Sequence, residues 1–240
     1  MSTALGALPA GNGGNIDVKA DSIHMVNGSG ISVATIGDGD AGKLRIDTGS
    51  LELKSDATIS ASTYGLGNGG EINIKAKSML LDTATPNGVS PGIVAASYPD
   101  DFNGLPGGGK GGDINIVTDS LVLKNGMPIS AATSTPGNGG NIKIHAGRVS
   151  LDTRSSIQSA SLSTGAGGTV ALESDADITL NGNSTISSAS QSTGNAGTVS
   201  VKSSGDVLLQ DNSTISSASL EHGFGNRGRS ANSCGTLSAP

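Results

Sequence analysis

The sequence predicts an all-β chain wound as a single right-handed parallel β-helix, and three observations carry that reading. First, one unit repeats seven times, starting at Gly14, Gly42, Gly70, Gly112, Gly140, Gly168 and Gly197, at spacings of 28, 28, 42, 28, 28 and 29 residues. Second, the apolar residues of each unit come in pairs separated by one residue, the period-2 signature of a strand that turns alternate side chains to one face. Third, large side chains are too scarce for a thick core: the 240 residues include 38 Gly, two Tyr, two Phe and no Trp. Leu, Ile, Val and Phe make up about a fifth of the chain, close to the level at which disorder becomes the default. Two inward residues per strand bury nothing alone. Stacked coil on coil, equivalent strands pair in parallel and their side chains form continuous columns. The right hand follows from the strong bias of parallel crossovers.

Taken in order, residues 1–13 read as an incomplete coil entered mid-repeat, because Met1-Ser2-Thr3 falls where Ile59-Ser60-Ala61 falls in the second unit. The β-helix proper covers 14–219. In the second unit the three pairs are Leu44 and Ile46, Leu51 and Leu53, and Ile59 and Ala61; they recur as Ile142 and Ile144, Val149 and Leu151, and Ile157 and Ser159. Each coil is therefore three short strands. The motif Gly-Asn-Gly-Gly at 11–14, 67–70 and 137–140 lies between the third strand of one coil and the first of the next. It reads as a tight corner, since Gly and Asn enter positive φ at low cost. The spacing of 42 is an ordinary unit with an insertion around 84–109, in which Pro86 to Gly92 interrupts the way into the third strand and Tyr98 to Gly109 follows it. Outward charges alternate between neighbouring coils, with Asp17 beside Arg45, Lys43 beside Glu71, and Lys124 between Asp82 and Asp152, each such neighbour worth roughly 0.2–1 kcal/mol. Seven coils at ~4.8 Å make a rod on the order of 34 Å long. Residues 220–240 show no apolar alternation and read as an irregular tail, as expected of a fragment of a longer reading frame.

The formal net charge is −6 and the 14 Lys and Arg are scattered, whereas phosphate binding needs a concentrated basic face; nucleic acid is excluded. No apolar run approaches the ~20 residues of a membrane span, and the N-terminal stretch lacks the pattern of a signal peptide. The lone Cys234 forms no intramolecular disulfide, and His24, His145 and His222 fall at different repeat positions, so neither a metal nor a cofactor is expected. Gly104 to Gly111 nearly matches a phosphate-binding loop, but Gly111 stands where Ser or Thr is needed and a repeat strand follows instead of a helix. Gly37-Asp38-Gly39-Asp40 occurs once and reads as a turn, not as a calcium-binding repeat. The glycosylation-type triplets at Asn27, Asn183 and Asn212 read as corners. The third strands turn Ser60, Ser130, Gln158, Ser187 and Ser216 outward as a stackable polar face. For a ligand, the inserted loop is the candidate: Tyr98, Asp100, Asp101 and Phe102 gather two of the four aromatics, and loops projecting from a solenoid are frequent binding sites.

The unit Gly-Gly-x-Ile-x-Ile-x-Ala-x-x-Leu-x-Leu, with Ile-Ser-Ala in the third strand, resembles the repeats of large bacterial exoproteins of the filamentous haemagglutinin type. The stretches 11–23, 67–81 and 184–197 carry the likeness, which covers roughly residues 1–220. The resemblance implies a passenger of two-partner secretion, exported through a dedicated outer-membrane transporter and acting outside the cell in adhesion or as surface matrix, with a host or cell-surface glycan or protein as its target. The given stretch carries neither the signal peptide nor the secretion domain of that family. The expected function is a non-catalytic structural and adhesive segment of such an exoprotein. The alternative is a carbohydrate-active β-helix enzyme, a polysaccharide lyase or hydrolase, which would want clustered carboxylates with Lys or Arg; Asp82, Lys124 and Asp152 are the best such cluster, although their alternating sign is equally what ladder stability requires.

Overall fold

The computed structural model describes residues 11–83, 92–99 and 107–219. The expected tail, and all but the last three residues of the expected incomplete coil, lie outside them. Every named strand pairing is parallel, and the described residues contain no helix. Strands stack in sequence order, one coil after another, in a β-solenoid of about seven turns. Pairing partners are 28 residues apart for Ile16 with Leu44 and Leu44 with Ile72, 42 apart for Ile72 with Ile114, and 28 again for Ile114 with Ile142.

The three apolar pairs of each coil face one shared interior. Leu44, Ile72, Ile114, Ile142 and Val170 form one column, and Leu53, Leu81, Leu123, Leu151 and Leu180 another. Ile59, Ile93, Ile129, Ile157 and Ile186 form the third, and none of these side chains exceeds 1% exposure. At roughly 1.5–3 kcal/mol per buried aliphatic side chain, such columns hold the stack together although no single coil has a core.

The first two pairs share one continuous ladder in the first five coils, for example Lys43–Lys54. The inward set nonetheless changes parity inside it, from Leu44, Ile46 and Thr48 to Leu51 and Leu53, because Gly49 and Ser50 in succession turn away from the core. That is a corner made without breaking the backbone ladder. Thr48 Oγ1 donates across it to the Ser50 carbonyl at 3.1 Å, and Thr118 does the same to Ser120 at 3.1 Å. In the sixth coil the register offset passes from 28 (Ala146 with Ser174) to 29 (Val149 with Ile178). The additional residue falls at this corner, and there the ladder splits into Thr169–Ser174 and Ile178–Leu180.

Positive φ is concentrated at the second corner, between the second and third pairs, and recurs at Gly37 (φ 115°) and Gly65 (φ 141°) on the way into the third. Asn27 and Gly28 (φ 54° and 71°), Asn125 and Gly126 (55° and 84°) and Thr153 and Arg154 (50° and 60°) occupy it in different coils. The Gly-Asn-Gly-Gly corner works differently from the sequence expectation: none of its residues has positive φ. Its glycines are required by closeness. A Cβ on Gly140 would lie 1.8 Å from the Gly112 carbonyl oxygen, and one on Gly137 would lie 2.2 Å from that of Gly109. Its Asn reaches the next coil, Asn68 Oδ1 accepting from Lys110 N–H at 3.1 Å and Asn138 Oδ1 from Ala166 N–H at 2.9 Å.

Inside this corner runs a column of buried hydroxyls, Thr35, Thr63, Ser97, Thr133, Ser161 and Ser190. They donate to corner carbonyls, as Thr35 does to Gly39 at 2.9 Å and Ser190 to Gly165 at 2.9 Å. Short hydroxyl side chains here satisfy carbonyls that would otherwise be buried without a donor.

Candidate functional site

The insertion divides in two. Thr58 pairs with Gly92 and Thr63 with Ser97, both 34 residues on, whereas Lys110 N–H meets the corner Asn68 42 residues away. Extra chain is therefore inserted both before Gly92 and after Tyr98, and between these two insertions the third strand of that coil stays in register. Of the expected ligand loop, Asp100, Asp101 and Phe102 lie outside the described residues. Tyr98 belongs to the ladder: the short strands Thr35–Ile36, Thr63–Tyr64 and Ser97–Tyr98 stack as a sheet of their own. Tyr98 therefore sits on Tyr64, with ring centroids 5.2 Å apart at 22°. Burial and, secondarily, the neighbouring Tyr64 push the Tyr98 phenol above its ordinary range.

Beside this aromatic step the outward face forms a slot of 670 Å3. Tyr64 and Tyr98 close one end. Ser32, Thr58, Ser60 and Ser62 bring hydroxyls, and Gly28, Gly30, Ala34 and Val94 complete a lining that, among the described residues, has no charged side chain. Ser60 Oγ donates to Ser62 Oγ at 3.0 Å, and Ser62 in turn accepts the Ala96 N–H at 3.2 Å. This fixes the inner hydroxyl and leaves lone pairs of Ser60 facing the slot. Of the polar third-strand face expected from the sequence, Ser60, Gln158 and Ser187 are half-buried and Ser216 is exposed, whereas Ser130 is buried.

A larger groove of 960 Å3 follows the first corner across four coils, between Lys19, Asp47 and Lys75 on one side and Asp21, Lys77 and Asp119 on the other. Lys19, Asp47 and Lys75 are register neighbours, so charge alternates along the column as the outward ladders were expected to do. The lining holds no aromatic residue.

The expected acidic cluster is used as bracing. Lys124 and Asp82 are register partners, but Asp82 accepts the Asn125 Nδ2 at 2.7 Å and Asp152 the Asn181 Nδ2 at 3.2 Å. Each carboxylate thus ties down a side chain at the second corner of the following coil. Lys43 reaches Glu71 at 2.9 Å, as expected from their spacing; Asp17 and Arg45 are register partners without an ion pair within 4.0 Å among the described residues. Hydrogen bonds from Asn73 and then from Lys43 hold the Glu71 carboxyl below its ordinary range, and Lys54 and His24 do so for Glu52. His24 meets Glu52 at 2.7 Å, while His145 lies 3.6 Å from Asp175 and 3.9 Å from Glu173. His222 lies outside the described residues, among which no group of three or more metal-ligating side chains occurs.

Comparison with known proteins finds no family model, no curated protein and no solved structure that matches this chain. Functional inference therefore rests on the residues.

Asn27, Asn183 and Asn212 occupy left-handed positions of the second corner, which accounts for their residue type. Gly107 to Gly112 lead directly into the strand Asp113–Lys124, leaving the phosphate-loop likeness without its helix. Sequence reasoning missed the Tyr64–Tyr98 step because it placed Tyr98 in the loop that follows the third strand, whereas Tyr98 ends a strand paired with Tyr64. The signal was present in Ser62-Thr63-Tyr64 and Ala96-Ser97-Tyr98, a small residue, a hydroxyl residue and Tyr in the same order.

Proposed function

We propose that this chain is a non-catalytic structural and adhesive segment of a secreted bacterial surface exoprotein of the filamentous haemagglutinin type, acting outside the cell. Its parent would leave through an outer-membrane transporter of the two-partner type and present the solenoid to glycans or proteins of another surface. The observation that carries the reading is the use of the carboxylates: Asp82 and Asp152, the pair best suited to acid–base work on a sugar, are hydrogen-bonded to asparagines of the following coils. General acid–base catalysis needs a carboxyl free to reach the reacting oxygen. A stack whose polar side chains brace neighbouring coils makes a long, stiff display surface. The test is direct. Purified chain incubated with acidic polysaccharides releases neither reducing ends nor unsaturated products, while the immobilised chain retains cells or glycans. Turnover abolished by Asp82→Ala or Asp152→Ala would overturn this reading in favour of a carbohydrate-active enzyme.

A further inference from the structure

The second coil carries a hydroxyl on four successive alternate positions, Thr58, Ser60, Ser62 and Tyr64, along a face that is slotted instead of flat. The row spans two short strands, Thr58–Ser60 and Thr63–Tyr64, in which alternate residues lie ~6.6 Å apart. The preceding coil offers Gly28, Gly30 and Ala34 beside it, too small to fill the space, and the following coil offers Val94 and Tyr98. The same column that holds Tyr64 and Tyr98 holds Ser134, Leu162 and Gln191 in later coils, so the aromatic step is peculiar to this place. It is also where extra chain is inserted on both sides of Gly92–Tyr98. Ile36, a register neighbour of Tyr64, is 66% exposed and Leu66 is 51% exposed, which gives this end an apolar rim.

The lining selects its occupant by charge and polarity. A charged group would lose hydration in the slot without meeting an opposite charge among the described lining residues. A wholly apolar one would leave unpaired the remaining acceptor lone pairs of Thr58, which donates to the Asp56 carbonyl at 3.4 Å, and of Ser60, which donates to Ser62. An uncharged sugar chain offers C–H faces to the tyrosine wall and glycine floor, and hydroxyls to the row. The geometry points to a subsite for an uncharged oligosaccharide lying across the first three coils, with Tyr64 and Tyr98 as its apolar end and Thr58 and Ser60 as its hydrogen-bonding wall. This deepens the adhesive reading, on which it rests, by naming the ligand class. The internal bond from Ser60 to Ser62, which is 1% exposed, holds the wall in place before binding and lowers the ordering cost.

The chain supplies its own reporter, because Tyr64 and Tyr98 are its only tyrosines and it has no Trp. The full chain is titrated with neutral hexaoses (cello-, malto-, xylo-, manno- and chito-) and with hexagalacturonate, reading tyrosine emission. At least one neutral hexaose is expected to change the emission saturably and hexagalacturonate is not. Tyr64→Ala should weaken that binding by about tenfold or more, through loss of ring contact. Ser60→Val should weaken it about fivefold, the worth of one net hydrogen bond, and Leu162→Ala should leave it unchanged. Where circular dichroism shows Tyr64→Ala misfolded, Tyr64→Phe and Ser60→Val decide. No response to any neutral hexaose, a response to hexagalacturonate alone, or affinity unchanged in both Tyr64→Phe and Ser60→Val overturns the subsite. Cell adhesion that persists in that event leaves the adhesive reading standing. Cleavage of a bound hexaose overturns the non-catalytic reading and leaves the subsite in place.

Discussion

Thr153 sits at φ 50° and Arg154 at φ 60°, a left-handed pair of a kind that β-branched and long side chains avoid. One coil earlier the same two positions are Asn125 and Gly126, the residues that adopt this conformation with least strain. The fold dictates the turn, and the sequence of the fifth coil tolerates it at a cost held by the ladders on either side. Replacing Thr153 by Asn is therefore expected to stabilise the chain by about 0.5–1 kcal/mol, read as a higher urea midpoint at unchanged slope. A lower midpoint would mean that Thr153 makes a contact worth more than the strain it relieves.

Corners and strands divide the labour at the level of the element. Strands are specified by alternating Ile, Leu and Val and so were readable. Corners look alike in composition but obey different physics: one turns by parity change at Gly49-Ser50, one by positive φ at Asn27-Gly28, and one by backbone packed on backbone at Gly-Asn-Gly-Gly. Substitutions at glycine separate these causes. In Gly140→Ala the new methyl meets the Gly112 carbonyl at 1.8 Å. The coils must part, and a loss of about 3 kcal/mol or more is expected. Gly14→Ala, the equivalent position at the first coil, meets nothing within 4 Å among the described residues and should be nearly neutral. Thermal unfolding of the two variants provides the measurement, and equal effects would refute the steric account.

Across the whole molecule, each coil touches only its neighbours, so stability is close to a sum over coils and interfaces. Removing residues 140–167 joins Gly139 to Gly168, the equivalent of Gly140 one coil on, and sets the columns of the fourth coil on those of the sixth. The shortened chain is expected to keep its β circular dichroism and its two-tyrosine slot, and to lose about a seventh of its denaturant slope, in proportion to the surface exposed. Collapse of the entire fold on this deletion would show that the coils do not act additively.

The repeat alone determined the coil length, the inward columns and the lack of a conventional core, because a period of two within a period of 28 has one low-energy solution: strands stacked on their own copies. Charges in register were legible for the same reason, as Lys43 and Glu71 show. Three things were decided only in the tertiary structure. Inclusion of Tyr98 in the ladder set it on Tyr64, since pairing across coils, not separation in the chain, chooses which side chains meet. The buried hydroxyls at Thr63 and Ser190 followed from the corner carbonyls of Gly39 and Gly165, which need a donor inside the coil. The diversion of Asp82 and Asp152 to asparagines followed from where the next coil places its turn, which the residue types by themselves do not reveal.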